Sequence, residues 1–352
     1  MGWSTQGWFG CCCTVVLTAC STGVSDAPPW EGEGGAEAAP GDPGGGDDGG
    51  GGGGGGGPGS RGGNGDASAA IATACEAAGQ ALCARTSACS QFLFQLRERD
   101  VSSCASRYAL QCETALGAPG ANETPEYIQT CATATTAASC NDLFDGVAPT
   151  GCQSPPAGAL ADGSACGEST QCASLDCRKP TGSYCGTCVT PAQAGQSCKS
   201  ADCAPGLLCM SDSVCRALAA QGATCTATQH CQFPLVCKSG TCSTADGLGA
   251  ACSSTSSTCD STVGLVCDPQ TQKCVTATLV DAGYACGVIS GKPMTCAAGA
   301  ICKFASSSSP TGTCVAAAAD GASCSDTAGP ACEGPAYCNG GVCTMPDPAA
   351  CK

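Results

Sequence analysis

Few side chains in this sequence have both the type and the spacing for chemistry, and most of them are cysteines. Cys185-Gly186-Thr187-Cys188 is the one Cys-x-x-Cys pair, a spacing that suits zinc or a redox dithiol. It has no second such pair, no neighbouring histidine and no strand-to-helix setting of the thioredoxin kind, so a structural disulfide is the expected use. His230, the lone histidine, adjoins Cys231. A nucleophilic thiol must be free, and Cys231 belongs to a repeated cysteine pattern, so an ordinary loop histidine is expected. Ser/His/Asp catalysis would depend on that same histidine, with no Gly-x-Ser-x-Gly elbow to hold the serine. Arg178 and Lys179 sit in the loop from Cys177 to Cys185, where a disulfide-framed protease inhibitor would present a basic bait. Pro180 makes cleavage after Lys179 awkward, and a solvated loop is the expectation. The sequence is therefore read as non-enzymatic, with no catalytic, cofactor-binding or metal-ligating residues assigned.

The elements that carry these residues follow from composition. The chain has 352 residues, of which 38 are cysteine and 4% aromatic. Cysteine at that density, with few large apolar side chains, points to small units held by covalent bonds in an oxidising compartment. The expected class is small and disulfide-rich: a helical stapled domain, then short loop and β-hairpin repeats, after a disordered amino-terminal linker. Thiolate metal storage is the broader alternative, but most cysteines are spaced more widely than metal clusters need. The formal charge of −15, from 29 acidic and 14 basic residues, excludes nucleic acid as a natural partner.

Residues Trp8 to Ala19 form an apolar run too short to span a bilayer, which reads as a signal peptide over 1–19. The run ends Leu17-Thr18-Ala19-Cys20. This resembles a bacterial lipobox, and the resemblance implies that Cys20 carries lipid and becomes the first mature residue. Two features depart from the pattern: no Lys or Arg precedes the run, and Cys11, Cys12 and Cys13 dilute its centre. Setting those three and Cys20 aside leaves 34 cysteines (38 − 4), an even number that can pair completely. From Cys20 to residue 67 the chain is rich in Gly, Pro, Asp and Glu and includes the run Gly51 to Gly57. Such a segment buries too little apolar surface to order itself and is expected to act as a flexible tether.

Residues 68–154 favour helix, being rich in Ala, Leu, Gln, Glu and Arg. One helix is expected from about Ser68 to Arg85 and a second from Asp100, its cap, to Leu116. A third starts at Thr124, ahead of Pro125 and Glu126, and Ser139 caps a short one running to Asp145. Cys75 and Cys83 lie eight residues apart, as do Cys104 and Cys112. An antiparallel hairpin would place Cys75 opposite Cys112 and Cys83 opposite Cys104. The pairing of Cys89, Cys131, Cys140 and Cys152 stays open among three possibilities. Phe92, Leu93, Phe94 and Leu96 are expected in a core. Asn122-Glu123-Thr124 matches a glycosylation sequon, without consequence expected in a bacterial host.

From Gly163 to the carboxyl terminus the chain repeats six times. Each copy opens with Gly, two residues and Cys, at Cys166, Cys198, Cys225, Cys252, Cys286 and Cys324, with a small residue before each cysteine. In the last five copies a turn residue and a short, mostly apolar pair precede the third cysteine, at Cys209, Cys237, Cys267, Cys302 and Cys338. A short strand is expected there. Units of 27 to 38 residues, measured between opening glycines, have too little hydrocarbon to fold without disulfides. The first copy holds a fifth cysteine among 166, 172, 177, 185 and 188, and the last gains Cys351; a four-cysteine plan gives these two no partner.

The opening Gly-x-x-Cys and central Leu-x-Cys resemble the Dickkopf N-terminal type of cysteine-rich module over Gly163 to Cys343. With the lipobox and the helical head, the chain looks like multi-cysteine surface lipoproteins of Gram-negative soil bacteria. The module resemblance implies a disulfide frame and nothing about receptor binding. The expected function is that of an exported lipoprotein at the outer membrane or cell surface, anchored by lipid, that binds a protein or glycan or serves as a structural spacer. The alternatives are a secreted hydrolase inhibitor and a thiolate metal-binding protein.

Overall fold

The computed structural model describes residues 64–180, 183–253, 257–306, 309–325 and 329–352. The expected signal segment 1–19, Cys20 and nearly all of the tether to residue 67 lie outside the described residues.

Helices come first: α1 (Asn64–Cys89), α2 (Gln91–Arg97), α3 (Val101–Leu116), α4 (Pro125–Thr136) and α5 (Cys140–Phe144). The expected caps act where the sequence put them. Asp100 accepts the Ser103 amide at 2.8 Å, Thr124 that of Tyr127 at 3.3 Å and Ser139 that of Asp142 at 3.0 Å. α1 starts at Asn64, inside the stretch expected as tether, and runs past the expected end at Arg85, its last turn held by the Thr86 hydroxyl on the Leu82 carbonyl at 2.8 Å and by Cys89–Cys140. Local pattern did not foresee α2. Ser90 caps it at 3.1 Å, and Leu93 and Phe94 are buried, as expected of that patch.

α1 and α3 run antiparallel, clamped by Cys75–Cys112 and Cys83–Cys104. Midway between the clamps lies Gly79, where an added Cβ would stand 2.5 Å from the Ala105 carbonyl oxygen; the helices approach that closely only because glycine is there. Ala74, Ala78, Leu82, Tyr108, Ala109, Leu116, Ile128 and Leu143 complete the core. Cys89–Cys140 and Cys131–Cys152 settle the open pairing and bind α5 and the 3-10 turn at Thr150–Cys152 to the bundle.

The six repeats share one backbone frame. The opening glycine takes a left-handed conformation in every copy, with φ between 78° and 89°. Its amide donates at 2.8 Å to the carbonyl of the fourth cysteine, counting the first repeat without its extra Cys185: in turn Cys188, Cys215, Cys242, Cys274, Cys314 and Cys343. The amide of that cysteine donates back to the residue after the glycine at 2.8 to 2.9 Å. The third and fourth cysteines lie directly opposite each other on an antiparallel hairpin, as Cys237 lies opposite Cys242. Each sulfur then bonds away from its neighbour: first with third, second with fourth.

The unit also begins three residues earlier than the glycine suggests. Leu160, Ala192, Ala219, Asp246, Val280 and Ala318 each form a parallel bridge to the second cysteine of their repeat. The fifth repeat is the largest, a five-stranded sheet with Thr278–Val280 and Ile301–Phe304 at its edges.

Candidate functional site

The repeats wrap the helical head as a collar. Thr170 of the first donates to the Ala115 carbonyl at 2.9 Å, and Gln171 to that of Pro119 at 2.9 Å. The third offers Phe233, whose amide donates to Asp145 at 2.7 Å and whose ring lies 4.6 Å from that of Phe144. Thr262 of the fourth accepts the Ser90 hydroxyl at 2.6 Å. The fifth sends the Ala298 and Gly299 amides to the carbonyls of Gln95 and Leu96, at 2.8 and 2.9 Å. On the sixth, Arg107 from α3 reaches Asp320 with two nitrogens, at 2.8 and 2.9 Å, and also bonds the Gly334 and Glu333 carbonyls. The Phe92–Leu96 patch thus does two jobs: half of it fills the core, and the rest seats the fourth and fifth repeats.

Adjacent repeats join through polar contacts. Arg178 pairs with Asp202 at 2.6 Å between the first and second, and Arg216 donates to the Thr228 carbonyl at 3.2 Å between the second and third. Lys238 meets Asp246 at 2.7 Å between the third and fourth.

The seam between the last repeat and the first closes the collar. The two cysteines that a four-cysteine plan could not place bond to each other, Cys185–Cys351, across a sequence separation of 166. Tyr184 stacks on Tyr337 with ring centres 5.1 Å apart, and its hydroxyl donates to the buried carboxylate of Glu168 at 2.6 Å. Lys179 lies 3.7 Å from the same carboxylate and 4.3 Å from the centre of the Tyr184 ring. Burial pushes Glu168 upward against the opposing pull of Lys179; burial and the neighbouring Glu168 push the Tyr184 phenol up. Gly167 leaves room for Pro348, whose Cα would stand 2.7 Å from an added Cβ.

These contacts place the residues that the sequence singled out. Arg178 and Lys179 are half-buried and engaged at two joints rather than presented on a free loop. Cys185 and Cys188 bond away from each other, to Cys351 and Cys172. Cys231 is bonded to Cys242. His230 serves the frame through its backbone, its carbonyl accepting the Ala219 amide at 2.8 Å, while its ring lies 3.2 Å from the Ala227 carbonyl oxygen. The sequon residue Asn122 donates to the Ala157 carbonyl at 2.8 Å, tying the head to the segment that leads into the first repeat. Sulfurs gather within 4.8 Å of one another in the repeats, as at Cys166, Cys172 and Cys188, but they do so as crossed disulfides, which leave no thiolate for a metal.

Several carboxyls at the joints are buried, a feature that spacing could not reveal. Glu123, beside the link to the first repeat, has one oxygen buried without a hydrogen-bond partner, and burial lifts its pKa to about 7. Burial and the facing Asp202 raise Asp176, which also has a buried oxygen unpartnered. Asp145 is lifted to about 6 by burial, against the Phe233 amide that stabilises its charge.

Solvent meets a different chemistry on the fifth repeat. Ile301 and Phe304 are exposed on an edge strand, beside an open groove of about 540 Å³ lined by Lys303, Phe304, Thr311, Thr313 and Val315. Among the described residues no helix is long and apolar enough to cross a membrane.

The architecture is that of a disulfide-stapled helical hub belted by a covalently closed ring of cysteine-rich repeats. No family model matches the chain, and no match was found among curated proteins or solved structures.

Proposed function

We propose that this chain is a non-enzymatic lipoprotein of the outer membrane or cell surface, anchored through Cys20, whose collar is a rigid binding module for a protein or glycan. The carrying observation is that one backbone frame recurs six times while the segments between its cysteines differ in length and sequence. Hydrogen bonds of the frame use backbone atoms, so the intervening side chains are free to vary at little cost to the fold. The cysteine spacing of the repeats is read as Dickkopf-like at the level of the disulfide frame alone.

The anchor is tested by palmitate labelling and membrane fractionation of the wild type and Cys20→Ser. Label in the wild type and release of the variant to the soluble fraction are expected, and an unlabelled chain that fractionates like the variant ends the lipoprotein reading. Binding is tested with the oxidised, exported protein on glycan arrays and in crosslinking to surface proteins of its own host. Saturable binding lost on full reduction is the expected result. Tight stoichiometric inhibition of a hydrolase would instead establish the inhibitor reading.

A further inference from the structure

Cys185–Cys351 differs from the other disulfides of the collar in reach and in backing. Those inside the repeats close separations of 11 to 18 residues. There, two bonds hold each hairpin, with sulfurs within 4.8 Å of one another, so cutting one leaves the other holding the same strands. The seam disulfide spans 166 residues and has no crossing partner of that kind; its flanks are the Tyr184–Tyr337 stack and the contact of Pro348 with Gly167. Both of its cysteines are half-exposed, whereas in most repeats each disulfide has at least one cysteine buried. A cut at the seam therefore allows the two sulfurs to part, while a cut inside a repeat leaves them side by side and ready to rejoin.

We infer that Cys185–Cys351 is a redox-operated clasp, opened by a dithiol reductant, that sets whether the carboxyl-terminal segment closes the collar onto the first repeat or stands free of it. The exchange balances in two steps. A reductant thiolate attacks one sulfur of the pair and displaces the other as a thiolate, which takes up a proton. The second reductant thiol then attacks the mixed disulfide and releases the remaining cysteine as a thiol. Two electrons and two protons pass to the protein, and the reductant leaves as its own disulfide. In the open form Arg107 keeps the last repeat on α3 through Asp320 and Gly334, so the change concentrates in the segment after Cys343, where Pro348 leaves its seat against Gly167. The clasp does not depend on the lipid anchor or on the identity of any ligand.

The test is graded reduction of the oxidised full-length chain with dithiothreitol, trapping with iodoacetamide and peptide mapping, with limited proteolysis of each sample in parallel. The expected result is loss of the Cys185–Cys351 crosslinked peptide before any other, together with new cleavage in the segment that follows Cys343. The Cys185→Ser/Cys351→Ser double variant is expected to keep the helical signal of the head, to show that cleavage without reductant and to be unaffected by the mild dose. First labelling at cysteines within a repeat or the head overturns the inference. So does an opened seam whose cleavage pattern stays that of the oxidised chain. If the double variant fails to fold, the order of labelling in the wild type decides alone.

Discussion

The head and the collar solve the same problem with different materials. In the head, α1, α3 and α4 bury Leu82, Ile128, Leu116 and a set of alanines, and four disulfides reinforce that hydrocarbon core, with Cys75–Cys112 and Cys131–Cys152 buried inside it. In the collar the buried clusters consist largely of cysteine sulfurs with alanines such as Ala192, Ala219 and Ala318. Helices bring apolar faces together and gain from hydrocarbon burial, whereas a hairpin of two to five residues per strand has little to bury. One region uses disulfides as reinforcement and the other as its core.

Full reduction and alkylation should separate the two most sharply. Each loop of about 15 residues loses roughly 3 kcal/mol of crosslink stabilisation, and the collar has nothing else of that size. Protection of repeat amides from hydrogen exchange should vanish while a fraction of the helical circular dichroism survives. Survival of repeat protection would break the comparison and show that hydrocarbon holds the collar too.

Core truncation should reverse the ranking. Leu82→Ala or Ile128→Ala is expected to cost about 2 to 5 kcal/mol in denaturant unfolding under oxidising conditions. Leu235→Ala, at a half-buried position of the third repeat, is expected to cost about 1 kcal/mol or less. Equal costs would mean that the collar has a hydrophobic core after all.

Glycine substitution sharpens the contrast by mechanism. Gly79→Ala forces a Cβ against the Ala105 carbonyl and should cost about 1 to 3 kcal/mol by overpacking. Gly222→Ala meets nothing within 4 Å, but its φ of 81° is strained for alanine at about 1 to 2 kcal/mol, and the Cys242 amide should exchange faster as the turn shifts. Replacing Gly222 by D-alanine in a synthetic repeat should restore slow exchange.

The last effect is that of pH at the joints. Glu123 titrates near 7 in the fold against 4.5 for a free carboxyl, and Asp145 near 6 against 3.8. The folded state therefore binds more protons than the unfolded state between those values. Stability from these groups is full below about pH 4 and is lost as pH rises towards 7. The melting temperature should fall by a few degrees between pH 5 and pH 8, at roughly 2 to 4 °C for each kcal/mol, and Glu123→Gln should flatten the slope. A melting temperature that rises over the same interval would show these carboxyls to be ionised in the fold.

The amino-acid sequence by itself determined what is local. Six opening glycines, the strand before the third cysteine, the caps at Asp100, Thr124 and Ser139, and the matched spacings behind Cys75–Cys112 and Cys83–Cys104 all depend on contacts within a turn, a hairpin or one helix pair. Such contacts leave a periodic trace in residue type. The tertiary structure alone decided that α2 forms, that Cys89 joins Cys140, that the repeats belt the head and that Cys185 meets Cys351. A bond across 166 residues depends on the summed geometry of every joint between its ends. Those joints rest on individual contacts such as Lys238 with Asp246 and the Arg107 bonds to Asp320, Gly334 and Glu333, which recur at no fixed spacing and so leave no periodic trace.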